Sequence, residues 1–139
     1  MKLARCMEAL TVYEPLVKVL KEEVLSLNCT EATFFDIAGG SGHVCRKLSK
    51  HLPLTNTYQI PDLYPPHFPP SLPPPHPSPF TRHDFFHPQS PSPNTLCFYL
   101  RWCLHNCPRA LVLTILRALL LAMERDPRIV LLIDEAVLP

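Results

Sequence analysis

The chain has 139 residues, of which 47% are hydrophobic and 18% charged, and a formal net charge of +1. That length fits one domain, and the composition is globular rather than disordered. The balanced charge excludes electrostatic capture of a polyanion as the main activity, so neither a nucleic acid nor an anionic membrane is an expected partner. Six cysteines occur, and "MKLARCMEALTVYEP" has no apolar core of a secretory leader, so reduced thiols in the cytoplasm are the expectation.

Taken in chain order, Leu16, Val19, Leu20, Val24 and Leu27 recur at helical spacing, with Lys18, Lys21 and Glu22 on the opposite side. "EATFFDIA" (31–38) reads as a short buried strand and "GHVCRKLSKHL" (42–52) as a helix stopped near Pro53. "NTYQI" (56–60) reads as a second strand. Thirteen of the eighteen prolines then fall within residues 61–93. Proline lacks the amide hydrogen of a helix ladder, so a polyproline or irregular excursion is expected where a crossover helix would stand. A short third strand is predicted within 78–86 and a fourth over "NTLCFYLRW" (94–102). A long helix follows over 108–125. Its apolar run 110–123 is too short to span a bilayer and includes Arg117, which predicts a buried helix. "RIVLLIDEAVL" (128–138) gives a fifth strand. The alternation of near-continuous apolar strands with helices predicts an α/β fold: an open parallel sheet of about five strands, covered on both faces.

All three glycines, Gly39, Gly40 and Gly42, sit in the turn between the first strand and its helix. In such sheets ligands bind beyond the carboxyl ends of the strands, and glycine lets the backbone approach them. A phosphate-cradling P-loop would need Lys and Ser or Thr after the last glycine, where His43 and Val44 stand. The spacing Ala38-Gly39-Gly40-Ser41-Gly42 also fails the dinucleotide fingerprint. An acid, Asp36, precedes the turn and suits a cationic or hydroxyl-bearing ligand; an ordinary tight turn is the alternative. Asp62, after the second strand, stands where a carboxylate grips ribose hydroxyls. Asp84 follows the third strand, with Phe85 offering an apolar face to a base. Together the three acids at successive strand ends form a nucleoside-binding constellation. Cys103, His105 and Cys107 are too tightly spaced for an ordinary structural zinc site, so no metal is expected.

The motifs "FDIAGGSGHVCRKL", "QIPDL", "HDFFHPQ", "YLRWCLHNCP" and "LLIDEAVLP" resemble, in order and spacing, the plant and fungal O-methyltransferases. These include the caffeic acid and fungal polyketide enzymes, which use S-adenosyl-L-methionine. The resemblance runs over about 31–139 and implies a partial class I methyltransferase fold of the Rossmann-like type. It implies that Asp36, Gly39, Gly40 and Gly42 face the methionine end of the cofactor. Asp62 would bind its ribose, Asp84 and Phe85 would flank the adenine, and Arg101 would contact the cofactor. His105 would be the catalytic base and Glu135 the acid that orients it. The acceptor implied is a small molecule with a phenolic hydroxyl.

Several positions depart from the family pattern. Ala38 replaces a glycine of the turn, Asn106 an aspartate, and Cys107 a tryptophan. Residues 1–30 read as a helical remnant leading from a dimerisation domain that is not there. Residues 31–139 read as a partial catalytic domain with a proline-rich insert at 61–93. A truncated homodimeric enzyme with impaired or no activity is the expectation. The competing reading is a non-catalytic interaction protein whose "PPSLPPP" (69–75) serves SH3-type modules.

Overall fold

The computed structural model describes residues 16–19, 22, 32–51, 56–62, 80–92 and 94–135. Five strands form one parallel sheet: β1 (Ala32–Ile37), β2 (Asn56–Asp62), β3 (Phe80–Arg82), β4 (Thr95–Arg101) and β5 (Val130–Asp134). Their order is β3-β2-β1-β4-β5. Helix α1 (His43–His51) links β1 to β2, and α2 (Arg109–Met123) links β4 to β5. From β1 the chain therefore winds outward to one edge, and from β4 to the other. The crevice between the carboxyl ends of β1 and β4 is the topological switch point, where open α/β sheets hold their ligands.

Both inner strands are buried along their whole length. One face packs Phe34, Cys97 and Tyr99 against Val44, Cys45 and Leu48 of α1. The other packs Phe35, Ile37, Phe98 and Leu100 against Ile115, Leu119 and Ala122 of α2. The alternation of side chains along each strand produces this division. An aromatic pair spans β1 and β4 on each face: Phe34–Tyr99 at 5.6 Å and Phe35–Phe98 at 5.4 Å between centroids. Parallel register sets Asp36 beside Tyr99 and Arg101 beside Asp134.

Within the described residues the five predicted strands and the helices predicted over 42–52 and 108–125 form, with boundaries shifted by a few residues. Most of the helix predicted from Leu16 to Leu27 lies outside the described residues. Burial of the long helix requires a correction. Only the stripe of Ile115, Ala118, Leu119 and Ala122 is buried, whereas Leu111, Leu113, Leu120 and Leu121 are exposed. The sheet covers one side of a helix, and a helix that is apolar all round needs a second layer. Among the described residues, no helix is long and apolar enough to cross a membrane. Residues 1–15 and 63–79, with the segment 69–75, lie outside the described residues.

Candidate active site

The glycine turn leaves the carboxyl end of β1 in left-handed backbone. Ala38 has φ +56°, Gly40 +57° and Gly42 +69°. Gly39 is required for a different reason: a Cβ there would overlap the Asp36 carboxylate. A Cβ on Gly40 would meet nothing within 4 Å, so the turn presents open space on that side. Asp36 itself is buried at the base of the turn, with Cys45 Sγ 3.8 Å from its Oδ2. Burial first, then the neighbouring Asp36 carboxylate, push the Cys45 thiol well above its usual range.

Beyond β4 the chain makes a single 3₁₀ turn, Leu104–Asn106, that carries His105. Glu135 follows β5 directly and reaches this turn. Its Oε1 accepts the amide hydrogens of Cys103 and Leu104, both at 2.7 Å, and its Oε2 lies 2.8 Å from His105 Nδ1. Burial alone would raise the Glu135 carboxyl. The hydrogen bonds from His105, Leu104 and Cys103 outweigh it and hold the group below its ordinary value. An ionised carboxylate accepts only, so His105 carries its proton on Nδ1, and Nε2 is left as the basic nitrogen on a half-exposed ring.

A polar network lies beneath this dyad. Tyr99 donates its hydroxyl to Asp134 Oδ2 at 2.8 Å, and Arg101 Nε approaches the same oxygen at 3.3 Å. Arg101 Nη1 lies 3.4 Å from His43 Nε2. A guanidinium only donates, so His43 accepts through Nε2 and holds its own proton on Nδ1. The Arg101 guanidinium also lies over the Trp102 ring, 5.4 Å from its centroid. Burial, then the hydrogen bond to Asp134, push the Tyr99 phenol far up, so it remains a donor.

These positions sort the predicted site residues. The turn Gly39-Gly40-Gly42 and Asp36 converge at the switch point, and His105 and Glu135 meet directly. Arg101 is buried, held by His43 and Asp134. Asp62 ends β2, with its backbone paired to Arg82 of β3. Asp84 turns inward on its own loop, accepting the Phe86 amide hydrogen at 3.0 Å and lying 3.4 Å from His87. Phe85 stacks on Phe86 at 4.8 Å and packs against the α2-side core. Tyr99, Asp134, His43 and Trp102 were not anticipated. The parallel β4–β5 register was the available signal for Asp134; nothing in the sequence flagged Trp102. Among the described residues, no group of three or more His, Cys, Asp or Glu side chains is placed to hold a metal.

Fold and site thus define an open α/β domain with a glycine turn at its switch point and a carboxylate-oriented histidine beside it. No protein-family model matches the chain. It is 32% identical over 115 residues to O-methyltransferase sol2 of Alternaria solani, a match covering 78% of this chain and 26% of that protein. LepI in complex with SAM superposes with a TM-score of 0.67 at 29% identity, covering 86% of this chain and 31% of LepI. A pericyclic reaction enzyme and a LepI variant with SAH and a substrate analogue superpose at 0.66, with the same identity and coverage. Over the stretch it spans, the chain is similar in sequence to a fungal O-methyltransferase and in fold to SAM-bound LepI. It spans about a quarter of the length of the curated relative and under a third of the solved structures.

Proposed function

We propose that this chain carries the cofactor turn and the base of an O-methyltransferase of secondary metabolism, acting on a small molecule with a phenolic hydroxyl. The observation that carries this reading is the 2.8 Å contact between His105 Nδ1 and Glu135 Oε2, with Oε1 anchored by two amides. A phenol has a pKa of about 10 and is a weak nucleophile while protonated. His105 Nε2 takes that proton as the new carbon–oxygen bond forms. Glu135 fixes the tautomer and stabilises the imidazolium that results.

S-adenosyl-L-methionine, when bound, supplies an electrophilic methyl on a sulfonium. The open side of Gly40 and the left-handed turn leave the backbone room for it, and the fully buried Asp36 carboxyl lies at the base of that turn. Asp62, Asp84 and Phe85 are the residues we assign to its ribose and adenine, and Arg101 supports the turn through His43. No metal is needed, because the sulfonium is already activated.

Calorimetric titration with S-adenosylhomocysteine, followed by methyl transfer from labelled cofactor to a panel of phenols, tests the reading. Saturable binding, with transfer reduced about 10²–10⁴-fold in His105→Gln, supports it. Absence of binding by folded protein overturns it for this chain. The likeness to a pericyclic reaction enzyme favours a second reading, a rearrangement without a methyl acceptor. A rearrangement without proton transfer has no use for a basic Nε2, so product formation indifferent to His105→Gln would select that reading.

A further inference from the structure

We propose that Trp102 is a positioning residue that fixes the ring plane of His105, an inference that rests on the methyltransferase reading above. Trp102 leaves β4 with φ +50°, a left-handed conformation in which a bulky side chain is a genuine outlier. Outliers of this kind persist where the surroundings over-determine them, and they cluster at functional sites. Here the surroundings are explicit. The Trp102 amide donates to the Asp134 carbonyl at 3.0 Å. Its indole lies beneath the Arg101 guanidinium, which Asp134 and His43 hold in place. It also meets the His105 imidazole edge to face, with centroids 6.3 Å apart and planes at 89°.

The left-handed residue lets the chain turn so sharply that the next two amides, of Cys103 and Leu104, both reach Glu135 Oε1. Glycine would take that φ without strain, so the backbone gives no reason for an indole. The reason lies in what one hydrogen bond cannot do. The Glu135 contact fixes Nδ1 but leaves the half-exposed imidazole free to swing about that contact. A perpendicular indole removes this freedom and sets the direction in which Nε2 points. Arg101, itself pinned, keeps the indole from following the imidazole. Alignment of a base with the proton it abstracts depends on such supports.

The experiment uses the whole chain and three variants, Trp102→Phe, Trp102→Leu and Trp102→Gly. With a phenol that the wild type methylates, Trp102→Leu is expected to lower kcat about 10- to 100-fold. KM for the phenol and affinity for S-adenosylhomocysteine should stay within about twofold, because only alignment is lost. Trp102→Phe should recover most of kcat. Trp102→Gly should melt no lower than wild type yet lose the same kcat, which separates positioning from folding. Wild-type kcat in both Trp102→Leu and Trp102→Gly overturns the proposal.

A second measurement stands apart from catalysis. Trp102 is the single tryptophan of the chain, so its emission reports the surroundings of this one indole, Arg101 and His105 among them. A protonated imidazole in contact quenches indole, so acid should lower the emission of the wild type more than that of His105→Gln. Asp134, Glu135, Cys103 and His43, which also surround the indole or its Arg101 partner, are common to both proteins. Emission that changes identically in both proteins overturns the contact. If the wild type binds no S-adenosylhomocysteine, the methyltransferase reading fails first, and this titration still decides whether Trp102 holds His105.

Discussion

Glu135 grips the 3₁₀ turn of His105 with both carboxylate oxygens, one on the amides of Cys103 and Leu104 and the other on the imidazole. Fold and chemistry share this residue, so its removal has two separable effects. In Glu135→Gln the amide oxygen can still cap the turn, but the amide nitrogen facing His105 donates. The imidazole must then accept at Nδ1 and carry its proton on Nε2, the wrong tautomer for a base. We expect methyl transfer to fall about 10²–10⁴-fold with little change in S-adenosylhomocysteine affinity. Initial-rate kinetics beside calorimetry check this.

The same carboxylate gives the fold a pH dependence. Glu135 is held below the ordinary glutamate value of 4.5, so the unfolded chain binds its proton more readily than the folded one. Its stabilising contribution is complete above 4.5 and is lost as pH falls through the lower folded value. Urea unfolding at about pH 7 and about pH 3 should show a larger loss of stability for the wild type than for Glu135→Gln. Equal losses would mean that the carboxylate contributes nothing through this linkage.

The turn before α1 gives two substitutions of opposite sign. Ala38 has φ +56°, which glycine adopts freely, so Ala38→Gly should stabilise the chain by about 1 kcal/mol despite the added freedom of the unfolded state. Gly39→Ala should destabilise by about 2 kcal/mol or more, because the new methyl must displace the buried Asp36 carboxylate. Denaturant midpoints at constant slope test both. A destabilised Ala38→Gly would show that the alanine methyl packs better than its backbone costs.

How far the sequence reaches is visible in these residues. The alternation of apolar strands and helices located β1, β4, α1 and α2, because each buries a face against the sheet and must be apolar with the matching period. His105 and Glu135 were legible because the motifs around them resemble a known family. Their partners were not. Asp134 looks like an ordinary acid at a strand end until the β4–β5 register sets it opposite Arg101. Arg101 was assigned to the cofactor from its position in the motif. Its contacts with His43 and Asp134 exist only once three elements are assembled. Trp102 could not be foreseen, since a left-handed φ at a bulky residue is imposed by tertiary contacts against local preference.

Thiol chemistry separates buried from reactive cysteines. Burial, then the Glu135 carboxylate, push Cys103 up to about 12, and Cys45 is raised well above its usual range. The thiolate is the nucleophile, so both should resist alkylation in the folded chain at about pH 8 and react once urea is added. Mass mapping after iodoacetamide treatment reads this directly. Rapid modification of Cys103 in folded protein would mean that the turn beside Glu135 opens readily.

The outer side of α2 makes the last prediction. Leu113, Leu120 and Leu121 lie within one helical face, with Leu120 and Leu121 about half exposed. Ile133 of the edge strand β5 is also about half exposed. Exposed leucines at this density, together with an edge strand unpaired on one side among the described residues, favour self-association. Replacing Leu120 and Leu121 by glutamine removes apolar surface that the fold does not bury, while Ile115, Leu119 and Ala122 still hold α2 to the sheet. The double variant should unfold within about 0.5 kcal/mol of wild type. It should also remain soluble at concentrations where the wild type scatters light. Sedimentation velocity over a concentration series measures the difference, and unchanged association would place the sticky surface elsewhere.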